Sequence, residues 1–137
     1  MKVALDKNAI KPTRAHTTDA GLDLYSPRSL LIPAGGSGVI DTGVHVEIPH
    51  GRVGLLKSKS GLNVKHDLVS EGVIDEGYSG SIVVKLYNLG KTGYLIERED
   101  KISQLLVVPV DYVDVEIVDS LNDDTERGSN GFGSTGR

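Results

Sequence analysis

The sequence has no cysteine and no tryptophan, one phenylalanine, one methionine, and no apolar run approaching the ~20 residues that span a bilayer. The missing cysteine removes disulfides and thiolate zinc sites, and suits a reducing compartment. Four histidines, at 16, 45, 50 and 66, lack the spacing of zinc ligands. The opening stretch "MKVALDKNAI" has no apolar core of a signal peptide, so the expectation is a soluble, intracellular protein. Net charge is −4 with a quarter of the residues charged, which argues against nucleic acid or a membrane as partner. Any binding of a polyanion must then be local.

What is present points to strands. At 137 residues the chain has the size of one domain with a core of its own. Short runs rich in Val, Ile, Leu and Tyr ("GVIDTGVHVEI", "GRVGLLK", "SIVVKLYNL", "ISQLLVVPV", "VDVEIV") are separated by Gly, Pro, Asn and Asp. In "GVHVEIP", Val44, Val46 and Ile48 face one way while His45 and Glu47 face the other. Only "SGLNVKHD" has room for a helical turn or two. The reading is an all-β sandwich, barrel or jelly-roll-like domain over 1–125, followed by a flexible glycine-rich arm over 126–137. The stretch "KISQLLVVPVDYVDVEIV" is apolar enough for a subunit interface, and equally for the domain's own core.

Four stretches carry groups suited to chemistry. The end, "ERGSNGFGSTGR", combines hydroxyls, free backbone N–H groups among glycines and Arg127, a set that can hold phosphate oxygens, with a lone Phe132 able to stack on a planar ring. It is not a Walker A loop, because "GFGSTG" lacks the lysine. "KSKSGL" offers two lysines and two hydroxyls at a strand end, a pattern shared with ordinary solvated turns. "EGVIDEGYSGSIVVKLYN" reads as a hairpin in which Asp75, beside Ile74 and a turn, can stand partly desolvated at a cleft edge and take a proton from water. In "AGLDLYSP", Asp23 points away from Leu22 and Leu24 on a strand, which leaves either solvent exposure or contact with a metal held mainly by phosphates and water.

"AGLDLYSP", "KSKSGL", "GVIDEGYSG", "KISQLLVVPV" and "RGSNGFGSTG", in that order, resemble the five motifs of the trimeric deoxyuridine triphosphate nucleotidohydrolases, the dUTPases. The likeness runs from about residue 12 to the end. It implies a distorted jelly-roll or β-clip barrel assembled as a homotrimer, with active sites at subunit borders closed by the arm of a neighbour. It also implies hydrolysis of dUTP to dUMP and pyrophosphate with Mg2+, Asp75 activating the water and Asp23 holding the metal through water. By the same resemblance Gly72, Val73 and Ile74 pair with the uracil edge and Tyr78 packs under the deoxyribose. Lys59, Ser60, Gly61 and Gln104 cradle phosphate, and Arg127, Phe132, Gly133, Ser134 and Thr135 close the site.

Two positions depart from the family pattern. Lys59 and Lys101 stand where arginine is usual, which keeps the charge but loses the planar two-pronged grip. The doubled "KSKS" leaves open whether Lys57 shares the phosphate load. Two other functions are compatible with the sequence: a dCTP deaminase, or bifunctional deaminase, of the same superfold, which needs a proton-shuttling Glu at the base, and a protein-binding module switched by nucleotide.

Overall fold

The alternating pattern becomes nine strands and one short helix among the described residues, which are 1–121 and 124–131 of the computed structural model. In chain order these are β1 (Val3–Leu5), β2 (Leu22–Tyr25), β3 (Leu30–Ile32), β4 (Ser37–Val46), β5 (Arg52–Lys57), α1 (Ser60–His66), β6 (Leu68–Ile74), β7 (Ser81–Asn88), β8 (Tyr94–Ile96) and β9 (Lys101–Pro109). Seven strands make one antiparallel sheet in the order β1-β4-β7-β6-β5-β9-β2, and β3 pairs with β8 in a second. The large sheet curls into a half-barrel, so the all-β class read from the sequence is the class found.

Curling puts alternate side chains of each strand on one inner face. Ile40, Val44 and Val46 of β4 meet Ile82, Val84 and Leu86 of β7, with Leu24, Leu56, Ile102 and Leu105 from the other half of the sheet. Val44, Val46 and Ile48 are buried as their spacing predicts, while Glu47 is exposed. Polar side chains within the sheet are paired with one another or with backbone: Thr42 Oγ1 donates to the Ile82 carbonyl at 2.7 Å, and Ser70 Oγ lies 2.9 Å from Ser103 Oγ, whereas the buried His45 Nε2 makes no hydrogen bond among the described residues. Asn88 joins the sheets, its amide donating to the carbonyls of Ile32 (3.2 Å) and Thr92 (2.9 Å).

The expected hairpin is present, but its two arms part. Strand β6 pairs with β7 only at its root, Leu68 with Asn88 through Ser70 with Leu86. Farther along, Glu71, Gly72, Val73 and Ile74 pair instead with Lys57, Leu56, Leu55 and Gly54 of β5, while β7 stays on β4. The loop 75–80 thus closes a gap rather than a tight ladder.

The long apolar stretch at 101–118 divides. Its first half is β9, inside the sheet between β5 and β2. The second half, "VDVEIV", alternates like a strand, yet it pairs with no strand among the described residues, and 111–121 are exposed throughout. Alternation favours an extended chain but supplies no edge to dock on, which is why the strand expectation fails here.

The tip of β6 is held by close packing against β5. At Gly54, opposite Ile74 and Val107, an added Cβ would lie 2.9 Å from Leu105 Cδ1 and 3.1 Å from both Ile48 Cδ1 and Ile74 Cβ. Gly54→Ala should therefore destabilise the fold by about 1–3 kcal/mol through overpacking, read as a lower urea midpoint at unchanged slope. An unchanged or raised midpoint would contradict this packing.

Candidate active site

Asp23 is where the sequence reading and the structure first diverge. The strand pattern left solvent exposure open, but the side chain is buried, at 4% exposure, because two lysines reach it. Lys59 Nζ donates to Oδ1 at 2.5 Å and Lys101 Nζ meets Oδ2 at 2.8 Å. Lys59 occupies the elbow between β5 and α1, just past Ser58, whose hydroxyl pins that strand end to Ser70. Lys101 opens β9, the partner of β2. Burial by itself would raise the Asp23 carboxyl, but the hydrogen bonds from Lys101 and Lys59 outweigh it and hold the group below the usual carboxylate range. Lys101 is raised in turn, chiefly by its bond to Asp23.

Gln104 lies beside this cluster. It is register partner to both Asp23 and Lys57, and its amide donates to the Ser58 carbonyl at 3.0 Å. Ser60 and Gly61 begin α1 with both residues exposed. Lys57 is engaged elsewhere, bonded to Glu71 across the strands at 2.7 Å. Lys59, Ser60, Gly61, Gln104 and Asp23 therefore gather at one end of β5, with Lys101 as a member that the motif pattern had marked only as a departure.

A second group occupies the other end of β6. Gly72, Val73 and Ile74 form the part of β6 that has left β7, so their backbone edge on that side has no strand partner among the described residues. Asp75 follows at once and is exposed in the single chain, not partly desolvated as its neighbours in sequence suggest, because the parting of the strands leaves the loop open to solvent. Tyr78 folds back over the loop, its N–H donating to the Asp75 carbonyl at 3.2 Å and its hydroxyl to the Ser81 carbonyl at 3.0 Å. A Cβ at position 80 would strike the Tyr78 hydroxyl at 2.3 Å, so Gly80 is what allows the ring to lie there.

Sequence reasoning gave no role to Glu76, His50 or Tyr112. Glu76 accepts hydrogen bonds from the Tyr112 hydroxyl (2.5 Å), the Gly51 N–H (3.0 Å) and His50 Nδ1 (2.8 Å). These donors lie 25 to 36 residues away, and no local spacing announces them. Of the arm residues, Arg127 donates from Nε to the Asn130 carbonyl at 3.1 Å. Phe132, Gly133, Ser134 and Thr135 lie outside the described residues.

Fold and side chains together define a class, a small antiparallel β domain in which two ammonium groups and a glutamine gather around one buried carboxylate. Comparison with known proteins makes this specific. A family model described as dUTPase matches residues 7–136. The chain is 44% identical over 135 residues to the deoxyuridine 5'-triphosphate nucleotidohydrolase of Gloeothece citriformis, spanning 96% of this chain and 92% of that one. It is 43% identical over 135 residues to that of Clostridium kluyveri, with 96% and 94% covered. Among solved structures, the Staphylococcus bacteriophage 80alpha dUTPase with dUPNHPP matches at a TM-score of 0.91 and 34% identity, covering 99% of this chain and 98% of that one. The dUTPase of phage phi11 of S. aureus, solved for the coordination of a structural Mg(II) ion, matches at 0.80 and 33% identity, covering 87% and 96%. The chain belongs to the dUTPase family.

The Asp23 cluster has a consequence for stability. A carboxyl held below its ordinary range in the folded state stabilises the fold above the unfolded-state pKa, and that contribution is lost as pH falls through the folded-state value. Asp23→Asn should cost about 1–2 kcal/mol at neutral pH. The gap between variant and parent should narrow below roughly pH 4. Urea unfolding across pH measures this, and a gap that stayed constant into acid would refute it.

Proposed function

We propose that this chain hydrolyses dUTP to dUMP and pyrophosphate through attack of a water molecule, deprotonated by Asp75, on the α-phosphorus. The observation that carries this reading is the parted hairpin: a free backbone edge at Gly72, Val73 and Ile74 running directly into an exposed carboxylate, in a chain of the dUTPase family. Backbone N–H and C=O groups in fixed alternation complement the carbonyl, N–H, carbonyl edge of uracil, as adenine would. Cytosine replaces one carbonyl by an amine and would leave a backbone donor unpaired. Tyr78, at the mouth of the same loop, is placed to pack under the sugar and to crowd a 2'-hydroxyl.

In the reaction, a water proton passes to an Asp75 oxygen while the water oxygen bonds to the α-phosphorus. The bond from that phosphorus to the bridging oxygen breaks, and pyrophosphate carries the electrons away. Lys59, Ser60, Gly61 and Gln104 hold phosphate oxygens. Mg2+ fits the donor chemistry at Asp23, a hard oxygen ligand kept ionised. The described residues hold no group of three or more candidate ligands, so a cation there would rest mainly on phosphate and water, with Asp23 touching it through water. When bound, it neutralises charge on the triphosphate. The two ammonium groups now on Asp23 are flexible enough to move to phosphate oxygens when these arrive.

The two groups lie at opposite ends of the same strands. Asp23, Gln104, Lys57 and Glu71 form one row across the sheet, and Asp75 is four residues farther along β6, ~13 Å at strand rise. A second copy would bring a phosphate cradle to each Asp75, and the exposed Tyr112, Val113, Val115, Ile117, Val118 and Leu121 are apolar surface that a neighbouring copy would cover. These features support sites shared between copies; the assembly proposed is a homotrimer, and the protein is proposed to be soluble and intracellular. The arm 126–137, with Arg127, Phe132, Gly133, Ser134 and Thr135, would close over a neighbour's nucleotide.

A specific observation weighs against the deaminase alternative. It requires a glutamate free to shuttle protons at the base, but Glu71 is bonded to Lys57 and Glu76 already accepts three hydrogen bonds. Asp75→Asn should lower pyrophosphate release at least 10^3-fold while leaving affinity for a non-hydrolysable dUTP analogue within a few fold. Turnover at the parent rate would remove Asp75 from its role. Deleting 126–137 should leave the assembly intact and lower turnover by about two orders of magnitude or more. A truncated enzyme as fast as the parent would dismiss the closing arm.

A further inference from the structure

One carboxylate joins three segments at the open end of the hairpin. Glu76 Oε1 faces His50 Nδ1, and Oε2 accepts from the Gly51 N–H and from the Tyr112 hydroxyl. His50 and Gly51 belong to the turn between β4 and β5, while Tyr112 lies three residues past the end of β9. Val110 adds a parallel tie, its N–H donating to the Gly51 carbonyl at 3.1 Å. The Tyr112 hydroxyl, then the His50 ring, then the Gly51 amide hold the Glu76 carboxyl down to about 2, so the clamp is anionic wherever the protein is folded at ordinary pH.

The clamp matters because of what the loop lacks. Pairing between β6 and β7 stops at Ser70 and Leu86, so no ladder stiffens 75–80 from across the hairpin. The hydrogen bonds of Tyr78 to Asp75 and Ser81 stay within the loop and its immediate edge. Among the described residues, two bonded ties fasten it to other segments: the Ser79 carbonyl, facing His45 Nδ1 at 2.8 Å, and the Glu76 cluster. Of these only Glu76 is covalently adjacent to Asp75. A cavity of about 400 Å³ is lined by both acids, Asp75 and Glu76, together with His50, Arg52, Val110 and Tyr112.

We infer that Glu76 is a positioning residue: by gripping Tyr112, His50 and Gly51 it fixes both the direction of Asp75 and the line along which the chain leaves the sheet after Val110. The base and the root of the segment leading to the arm are thereby set by the same carboxylate. This rests on Asp75 being the base. Charge-assisted hydrogen bonds suit the task, being shorter and stronger than neutral ones, and a base displaced by a fraction of an ångström loses its line to the water.

The test compares Glu76→Gln and Tyr112→Phe with the parent and with Asp75→Asn, each as the full chain. Glu76→Gln should lower kcat about tenfold or more and Tyr112→Phe about threefold to tenfold, both with KM within about twofold, the split expected when orientation rather than binding is lost. The second readout is independent of turnover. The Tyr112 phenol is raised, first by its bond to Glu76, so its phenolate absorbance should emerge at lower pH in Glu76→Gln. Should Glu76→Gln fail to fold, Tyr112→Phe, which removes one exposed hydroxyl, decides. Parent kcat in a folded Tyr112→Phe variant overturns the inference while Asp75→Asn, if inactive, leaves the base intact. If Asp75→Asn is active, the base reading fails first, and an unchanged phenol titration in Glu76→Gln then overturns the clamp as well.

Discussion

Strand β6 takes part in two ladders, and the exchange of one for the other between Ser70 and Glu71 determines most of what this molecule can do. A backbone that leaves a partner must satisfy its N–H and C=O groups by other means, and at a sheet surface water does so at little cost. The freed edge at 72–74 is thus a ready hydrogen-bonding strip held straight by β5 on its far side. Rigidity on one side and vacancy on the other are what a recognition element needs. A base that matches the strip replaces water in kind, whereas one that does not leaves a desolvated backbone group unpaired, the costlier error. The exchange also fixes Ile74 in the core and turns Asp75 outward, so the proposed base recognition and the proposed chemistry fall to adjacent residues.

Charge is managed in the same local way. The chain is acidic overall, yet two ammonium groups converge on the single buried Asp23, leaving one net positive charge where phosphate would enter. Asp23 holds both lysines in place, which would shorten the conformational search for the phosphate of the proposed substrate. Lysine suits such an exchange better than arginine would, since a compact ammonium with three donors can pivot from carboxylate to phosphate without rebuilding a planar fork. What it gives up is angular precision, and the neighbouring Gln104 and the Ser58 carbonyl it grips supply fixed geometry beside the lysines.

Legibility in the sequence tracked how local the cause was. The β4 face was plain because Val44, Val46 and Ile48 alternate within five residues, and α1 fell where "SGLNVKH" breaks the strand pattern. The family motifs drew attention to Asp75, Tyr78 and Lys59 but carried no information about their surroundings. For Asp23 the strand pattern left solvent exposure and metal contact both open, since neither lysine that buries it is near in the chain, Lys59 being 36 residues away. Glu76 was invisible for the same reason, one of two acids in a turn, with its partners brought in by the register of β5 and β9. The strand-like "VDVEIV" misled in the opposite direction, because alternation states which face a chain would bury without saying whether this chain has anything to bury it against.

That last segment raises the question of what the Glu76 clamp contributes to closure, and magnitudes decide it. Were the clamp merely to shorten the free chain between the sheet and Arg127, the gain would be logarithmic in length, ~0.6 kcal/mol for each halving, too little to govern an arm whose ordering costs about 1–2 kcal/mol per residue. In the proposed reading, closure would have to draw its energy from phosphate and base contacts made at the site itself. A shift of direction at the root, by contrast, displaces the residues that follow for as far as the chain keeps its direction, at up to ~3.3 Å per residue. The clamp therefore acts on where the arm is sent and on how Asp75 is aimed, and only weakly on how willingly the arm is ordered.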